Sequence, residues 1–128
     1  MKKKNSRCEF ASERSALLLR NFRESIARQS VISLKRALQE AADAPAPRFW
    51  VSEARAMRVI SMIMKGEDIL ESMHPEKRAM YEEIYRRVMN IRAEHPEIPL
   101  GDVVFDVVNN EAPKSYLTWG WCRKILGK

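Results

Sequence analysis

An internal repeat constrains this chain more than any single residue does, because it shows which segments must do the same structural work. Residues 46–62 and residues 112–128 align at an offset of 66 positions. Both segments open with Ala-Pro and a cation, continue through an aromatic, an aliphatic and a hydroxyl residue, and later carry an aliphatic pair. The matched positions are Ala46/Ala112, Pro47/Pro113, Arg48/Lys114, Trp50/Tyr116, Val51/Leu117, Ser52/Thr118, Ala56/Cys122, Arg58/Lys124, Val59/Ile125 and Ile60/Leu126.

The repeat extends upstream of these segments. Residues 14–26 align with residues 77–89 at an offset of 63, and residues 34–42 align with residues 100–108 at an offset of 66. The difference of three residues falls near residues 95–99, where two prolines mark a loop and an insertion costs little. Each copy is therefore predicted to run as helix, loop, helix, Ala-Pro connector and helix.

Apolar residues recur at helical spacing in residues 12–29 and 75–93. Residues 100–109 are ambiguous, because their valine-rich composition is typical of a strand whereas the apolar positions follow an i, i+3, i+4, i+7, i+8 pattern. The first copy fills the matched positions with leucine and alanine, which are strong helix formers. The repeat therefore favours a helix here as well.

The predicted fold class is all-α, with about six helices arranged as two tandem, helix-turn-helix-like units of three helices packed into one small domain. Residues 1–11 are predicted to be a basic disordered tail, residues 12–66 the first unit, residues 67–74 a connector and residues 75–128 the second unit. Ser52 and Thr118 are predicted N-caps of the third helices, since their hydroxyl groups can accept a bond from an unpaired backbone N–H.

The positive charge is concentrated in two segments. The 128 residues carry a net charge of +6, yet residues 1–20 hold six cations against two anions, and residues 114–128 hold four cations and no anion. Concentrated positive charge favours a polyanionic partner such as nucleic acid. For Lys2, Lys3 and Lys4 the alternative is a solvated tail that aids solubility.

Several classes of function find no support in the sequence. No apolar run approaches a membrane span and the Lys-rich start lacks the apolar stretch of a signal peptide, so we expect a cytoplasmic protein with no membrane partner. The two histidines and two cysteines lack metal-ligand spacing, and the four glycines form no phosphate loop. We therefore expect a non-enzymatic protein without a catalytic residue, cofactor or metal.

The order of helix, connector and capped helix, behind a supporting helix, is that of helix-turn-helix domains. The connector in the first copy is about nine residues long with two prolines, longer than the usual turn of about three to four residues. On this interpretation the third helices and their connectors supply cations to bases or phosphates. The candidate nucleic-acid contacts are Arg48, Arg55, Arg58, Lys114, Arg123 and Lys124.

Aromatic residues cluster in the same segments and leave two alternatives open. Trp50 and Tyr116 suit a role as plugs at the base of the third helices, with Arg48 and Lys114 in solvent. The Trp119-Gly120-Trp121 stretch suits stacking on bases or burial at an interface. It suits equally the core packing of one tryptophan with casual exposure of the other. The candidate interaction residues are Phe49, Trp50, Trp119 and Trp121.

Three stretches carry a resemblance to a known family: Pro-Ala-Pro-Arg-Phe-Trp-Val-Ser at residues 45–52, Lys-Arg-Ala-Met-Tyr at residues 77–81 and Ala-Pro-Lys-Ser-Tyr-Leu-Thr at residues 112–118. Together they resemble a family of small uncharacterised proteins from bacterial gut anaerobes that carry a duplicated motif of this kind. The second copy departs from the pattern, since Ser115 replaces the aromatic residue after the cation. The resemblance implies a bacterial cytoplasmic protein with an internal repeat, and no particular chemistry.

The leading hypothesis is a small basic accessory or regulatory protein, such as a mobile-element component, that binds nucleic acid, with DNA as the expected polymer. The alternative is a protein-protein interaction adaptor or assembly subunit that uses the exposed aromatic residues as anchors.

Overall fold

The computed structural model of this protein describes residues 6–128, with side chains from Phe10 onward. Within this range the chain forms six α-helices and no strand, so the predicted all-α fold class is confirmed. The helices are α1 (Ser6–Arg28), α2 (Leu34–Asp43), α3 (Glu53–Met64), α4 (Pro75–Glu94), α5 (Leu100–Val108) and α6 (Trp119–Leu126). A single 3₁₀ turn, Leu70–Ser72, lies in the predicted connector between α3 and α4.

The predicted disordered tail, residues 1–11, overlaps the first helix. Residues 1–5 lie outside the described residues, whereas α1 already begins at Ser6 and runs for 23 residues. Phe10, one turn into this helix, is buried. The apolar area that Phe10 removes from water offsets the entropy lost when this first turn is ordered, which explains why residues 6–11 are helical rather than disordered.

Hydroxyl side chains fix where three helices begin. The Oγ of Ser33, the Oγ of Ser52 and the Oγ1 of Thr118 each accept a hydrogen bond from the backbone N–H three residues later, at 3.2, 3.1 and 3.1 Å. The predicted N-caps Ser52 and Thr118 are thus confirmed. α6 ends at Leu126, and the next residue, Gly127, has a φ of 70°, left-handed backbone that glycine adopts without strain. α5 is a helix, as the repeat predicted, and it buries four valines on one face.

The chain forms two compact units that do not follow the two sequence copies. We call residues 1–46 together with 112–128 the discontinuous unit, and residues 47–111 the continuous unit. The discontinuous unit contains α1, α2 and α6, whereas the continuous unit contains α3, α4 and α5. The predicted division into residues 12–66 and 75–128 is therefore corrected, because each copy contributes its third helix to the other unit.

In the discontinuous unit, α6 packs against α2 and α1. Its core is lined by small alanines of α2, by larger apolar residues of α1 and by the one buried cysteine of α6. These core residues are Leu18, Phe22, Ala37, Leu38, Ala41, Ala42 and Cys122. Burial raises the pKa of the Cys122 thiol, which keeps this side chain neutral inside the core.

In the continuous unit, α3 packs against α5 and α4. Its buried positions follow helical spacing on each element, and valines take the places that alanines hold on α2. They include Ala56, Val59 and Ile60 on α3, Tyr81, Ile84 and Val88 on α4, and Val103, Val104, Val107 and Val108 on α5. Phe49, in the connector before α3, is fully buried in the same unit.

Backbone hydrogen bonds in the two connectors explain why the third helices are exchanged. The Phe49 N–H donates to the Val108 carbonyl at 3.0 Å, which ties the connector before α3 to the end of α5. At the matched positions, the Ser115 N–H donates to the Ala42 carbonyl at 2.9 Å, which ties the connector before α6 to the end of α2. Each connector therefore directs its helix to the second helix of the other sequence copy.

The Ala-Pro pair that opens each connector has a structural role. Ala46 and Ala112 exchange two backbone hydrogen bonds, at 2.9 and 2.8 Å, and form an isolated antiparallel bridge within the discontinuous unit. Both alanines are buried. A side chain larger than a methyl group at either position would have to displace its packed neighbours, which accounts for alanine in both copies.

Candidate nucleic-acid interface

The two units differ strongly in charge. The discontinuous unit carries fourteen Lys and Arg residues against five Asp and Glu residues, a net charge of +9. The continuous unit carries nine cations against twelve anions, a net charge of −3. Because α1 and α6 pack in one unit, the cations of these two helices, which the sequence places far apart, belong to the same compact body. The positive field of the protein is therefore concentrated in the discontinuous unit.

The six predicted cations divide equally between the units. Arg48, Arg55 and Arg58 lie in the continuous unit. Lys114, Arg123 and Lys124 lie in the discontinuous unit. Two of these six belong to the connectors and four to the third helices, and the two groups have different surroundings.

Arg48 is held within the protein by three hydrogen bonds. Its Nε donates to the Phe49 carbonyl at 2.9 Å, its Nη2 to the Val51 carbonyl at 3.0 Å and its Nη1 to the Asn109 Oδ1 at 3.1 Å. The side chain is half-buried rather than in solvent. A guanidinium in this position satisfies carbonyl groups that the connector leaves unpaired, so Arg48 is engaged in holding the turn before α3.

Lys114 is engaged in the same way at the matched position of the other connector. Its Nζ lies 3.6 Å from the Asp43 Oδ1 and 5.7 Å from the centroid of the Tyr116 ring. Asp43 at the end of α2 corresponds to Asn109 at the end of α5, so both connector cations contact the equivalent polar residue of the second helix. Arg48 and Lys114 therefore stabilise the connectors through contacts within the protein.

Arg55 and Arg58 are exposed on α3. Both act electrostatically on Tyr81 of α4, which is buried. Burial raises the pKa of Tyr81, and the positive charges of Arg55 and Arg58 oppose that rise. Both arginines are more exposed than Arg48, but they belong to a unit whose net charge is negative.

Arg123 and Lys124 are exposed on α6, in a segment without any acidic residue from position 112 onward. The Lys124 Nζ lies 5.0 Å from the centroid of the Trp121 ring, at cation-π distance. Trp121 itself has 53% of its surface exposed. This helix therefore presents two cations and one aromatic ring to solvent.

The four predicted interaction aromatics differ in how far they are exposed. Phe49 is fully buried beneath the Arg87 guanidinium, whose Cζ lies 5.0 Å from the ring centroid, so it belongs to the core and not to the surface. Trp50 and Trp119 are half-buried, and Trp119 packs against the core of the discontinuous unit. Trp121 is the most exposed of the four.

Two features of the discontinuous unit were not predicted. Lys35 on α2 places its Nζ 5.1 Å from the centroid of the Trp119 ring, and this exposed lysine adds a cation beside α6. The loop before α2 and the first residue of α2 expose three aliphatic side chains, with Val31 84%, Ile32 60% and Leu34 55% exposed. The sequence signal for the loop was Val31-Ile32 lying between two serines outside the helical pattern.

Among residues 6–128, no cluster of histidine, cysteine or carboxylate side chains has the arrangement of a metal site. None of the helices formed by these residues combines the length and the apolar character needed to span a bilayer. Comparison with protein-family models, with curated proteins and with solved structures found no match to this chain.

Proposed function

We propose that this chain is a non-enzymatic nucleic-acid-binding accessory protein whose interface lies on the discontinuous unit. The observation that carries the proposal is the net charge of +9 on that unit against −3 on the continuous unit. Condensed counterions on a nucleic acid are released when Lys and Arg neutralise its phosphates, so a unit of this charge gains affinity for any such polymer. We take the location to be cytoplasmic, where such polymers are found.

The exposed cations of α6 are the proposed centre of the interface. Arg123 and Lys124 lie in a segment without acidic residues, so no neighbouring carboxylate in that segment competes with phosphate for them. Lys35 adds a third exposed cation from α2. Lys114 supports the interface indirectly, since it holds the connector that positions α6. Arg48 has the matching role for α3 in the continuous unit, outside the proposed interface.

The proposal is tested by fluorescence anisotropy of a labelled duplex and a labelled single strand, titrated with the protein over a salt series. We expect binding at low salt whose affinity falls steeply as salt rises, with a slope of roughly −0.9 per phosphate contacted on a duplex. Absence of binding to both polymers at low salt, where nonspecific attraction is strongest, would overturn the proposal.

A protein-interaction adaptor is the second candidate, and the exposed aliphatic loop favours it. Val31, Ile32 and Leu34 expose three large apolar side chains within four positions, and a contiguous exposed apolar patch marks an interaction site in many proteins. This candidate predicts an oligomer or heterocomplex whose affinity hardly responds to salt. Light scattering of the wild type and of a V31S/I32S/L34S variant tests it, because loss of an assembled species in the variant would support the adaptor and a monomer in both would oppose it.

A further inference from the structure

The two tryptophans of α6 have different surroundings although they are separated by a single glycine. Trp119 packs against the core of the discontinuous unit and has the Lys35 ammonium over its ring. Trp121 leaves more than half of its surface in solvent. Burial explains why the chain keeps an aromatic residue at position 119, but it does not explain the large apolar ring at position 121.

Trp121 is exposed on a fixed backbone. Its exposed fraction is 53%. Its N–H donates to the Oγ1 of Thr118, the N-cap of α6, at 3.1 Å. The exposed ring is therefore carried on the ordered first turn of α6, an arrangement suited to receiving a flat ligand.

Cations accompany the exposed ring. Lys124 lies one turn further along α6 with its Nζ 5.0 Å from the ring centroid, and Arg123 is exposed next to it. The segment from residue 112 onward contributes four cations and no anion to the charge of the unit. An aromatic face for a base and cations for the adjoining phosphates are the two components of single-strand recognition sites.

We propose that Trp121 and Lys124 form a stacking platform for an unpaired base of a single-stranded nucleic acid. This inference rests on the proposed function and specifies that the nucleic acid bound is single-stranded. In a duplex both faces of each base are covered by neighbouring bases, so an aromatic ring on the protein cannot stack on them without unpairing. A single strand exposes those faces, and stacking tolerates any base because every base has a π-face.

The test compares a short single-stranded oligonucleotide with a duplex of the same length, using the wild type and two substitutions of one residue. Trp121→Phe keeps an aromatic ring, whereas Trp121→Leu keeps apolar bulk without a π-face. We expect Trp121→Leu to weaken single-strand binding by roughly tenfold or more and duplex binding much less, while Trp121→Phe retains most of the single-strand affinity. Tryptophan fluorescence supplies a second readout, since quenching by the single strand should largely disappear in Trp121→Phe.

Because Trp121 is exposed, both variants are expected to unfold at the wild-type temperature, and this control separates stacking from loss of folding. Single-strand affinity of Trp121→Leu equal to that of the wild type would overturn the inference, and so would equal losses for single strand and duplex. In either case salt-dependent binding of the wild type would leave the proposed function standing. If the wild type binds neither polymer, the proposed function itself fails and the platform fails with it.

Discussion

The discontinuous unit and the continuous unit are built from the same kinds of parts, yet they carry opposite charge. Each has one long helix, α1 or α4, one shorter helix with four buried positions, α2 or α5, and one capped third helix, α6 or α3. The net charges are +9 and −3. Since the same arrangement of helices serves both, the arrangement itself does not select a ligand. The difference that bears on function is on the surface.

The cores of the two units show how much interior variation one arrangement accepts. α2 lines its core with Ala37, Ala41 and Ala42, and α5 fills the matched positions with valines. At the matched connector position the continuous unit buries Phe49 and the discontinuous unit buries Ser115. Cores tolerate such exchanges when the total volume is conserved, and in the discontinuous unit the half-buried Trp119 and Leu117 supply part of that volume.

The largest effect is expected from separating the two sequence halves. Residues 1–66 lack α6 and residues 67–128 lack α3, so neither half contains all the helices of either compact unit. By circular dichroism, we expect each half alone to show weak helicity and no cooperative thermal transition. A mixture of the two halves should show the helicity and the cooperative transition of the intact chain. Cooperative folding of a lone half would show instead that the three helices of one sequence copy form a unit.

A smaller effect is expected from removing the hydroxyl caps of the third helices. Ser52→Ala and Thr118→Ala each delete one acceptor of a helix N-terminal N–H, at a cost of about 1 kcal/mol in the free energy of unfolding, measurable by urea denaturation. The two variants should differ in function. Thr118→Ala frays the helix that bears Arg123 and Lys124 and should weaken nucleic-acid binding, whereas Ser52→Ala should leave it close to wild type. The reverse pattern would assign the interface to the continuous unit.

Each unit also contains a glutamate that pairs with two arginines. Replacing either glutamate is expected to change the stability of the fold less than the changes above. Glu40 accepts from the buried Ser25 Oγ at 2.6 Å and pairs with Arg28 and Arg36. Glu83 pairs with Arg86 and Arg87. The Ser25 hydrogen bond, with the help of the arginines, lowers the pKa of Glu40, and the hydrogen bond from Arg86 chiefly lowers the pKa of Glu83.

A carboxylate whose pKa is lower in the folded protein than in the unfolded chain stabilises the fold above its unfolded pKa. That contribution is lost as the pH falls through the folded pKa. We therefore expect Glu40→Gln and Glu83→Gln to be less stable than the wild type near neutral pH. The difference should shrink toward zero as the solution is acidified, and urea unfolding at several pH values checks this. A difference that stays constant with pH would show that the two carboxylates stabilise the fold without their charge.

Local chemistry made much of the fold predictable. Hydroxyl residues before apolar runs predicted the caps at Ser52 and Thr118, because this signal depends on neighbours within one turn. The apolar spacing of residues 100–109 left helix and strand open, and the helix formers at the matched positions of the first copy predicted α5. The exchange of α3 and α6 was not predictable in this way. Both copies present similar third helices, so the choice of partner depends on long-range packing and on connector bonds such as that from Phe49 to Val108.

The candidate site was predictable in composition and not in arrangement. The sequence identified Arg123, Lys124 and Trp121 as chemically suitable, and all three are exposed on α6. It did not reveal that Arg48 caps two connector carbonyls, since that depends on the path of the backbone between α2 and α3. The sequence also did not predict the contact between Lys35 and Trp119, because that contact requires α2 and α6 to pack in one unit.

The most direct test of the account is a matched pair of charge reversals on the two third helices. R123E/K124E on α6 and R55E/R58E on α3 change the net charge of the protein by the same amount, so a difference between them reports position and not total charge. Anisotropy titrations over a salt series give the affinity and the number of phosphates contacted. We predict that R123E/K124E weakens binding by roughly tenfold or more and lowers the magnitude of the salt slope by about two, while R55E/R58E has a much smaller effect on both. Equal losses in the two variants, or a larger loss in R55E/R58E, would contradict the assignment of the interface to the discontinuous unit.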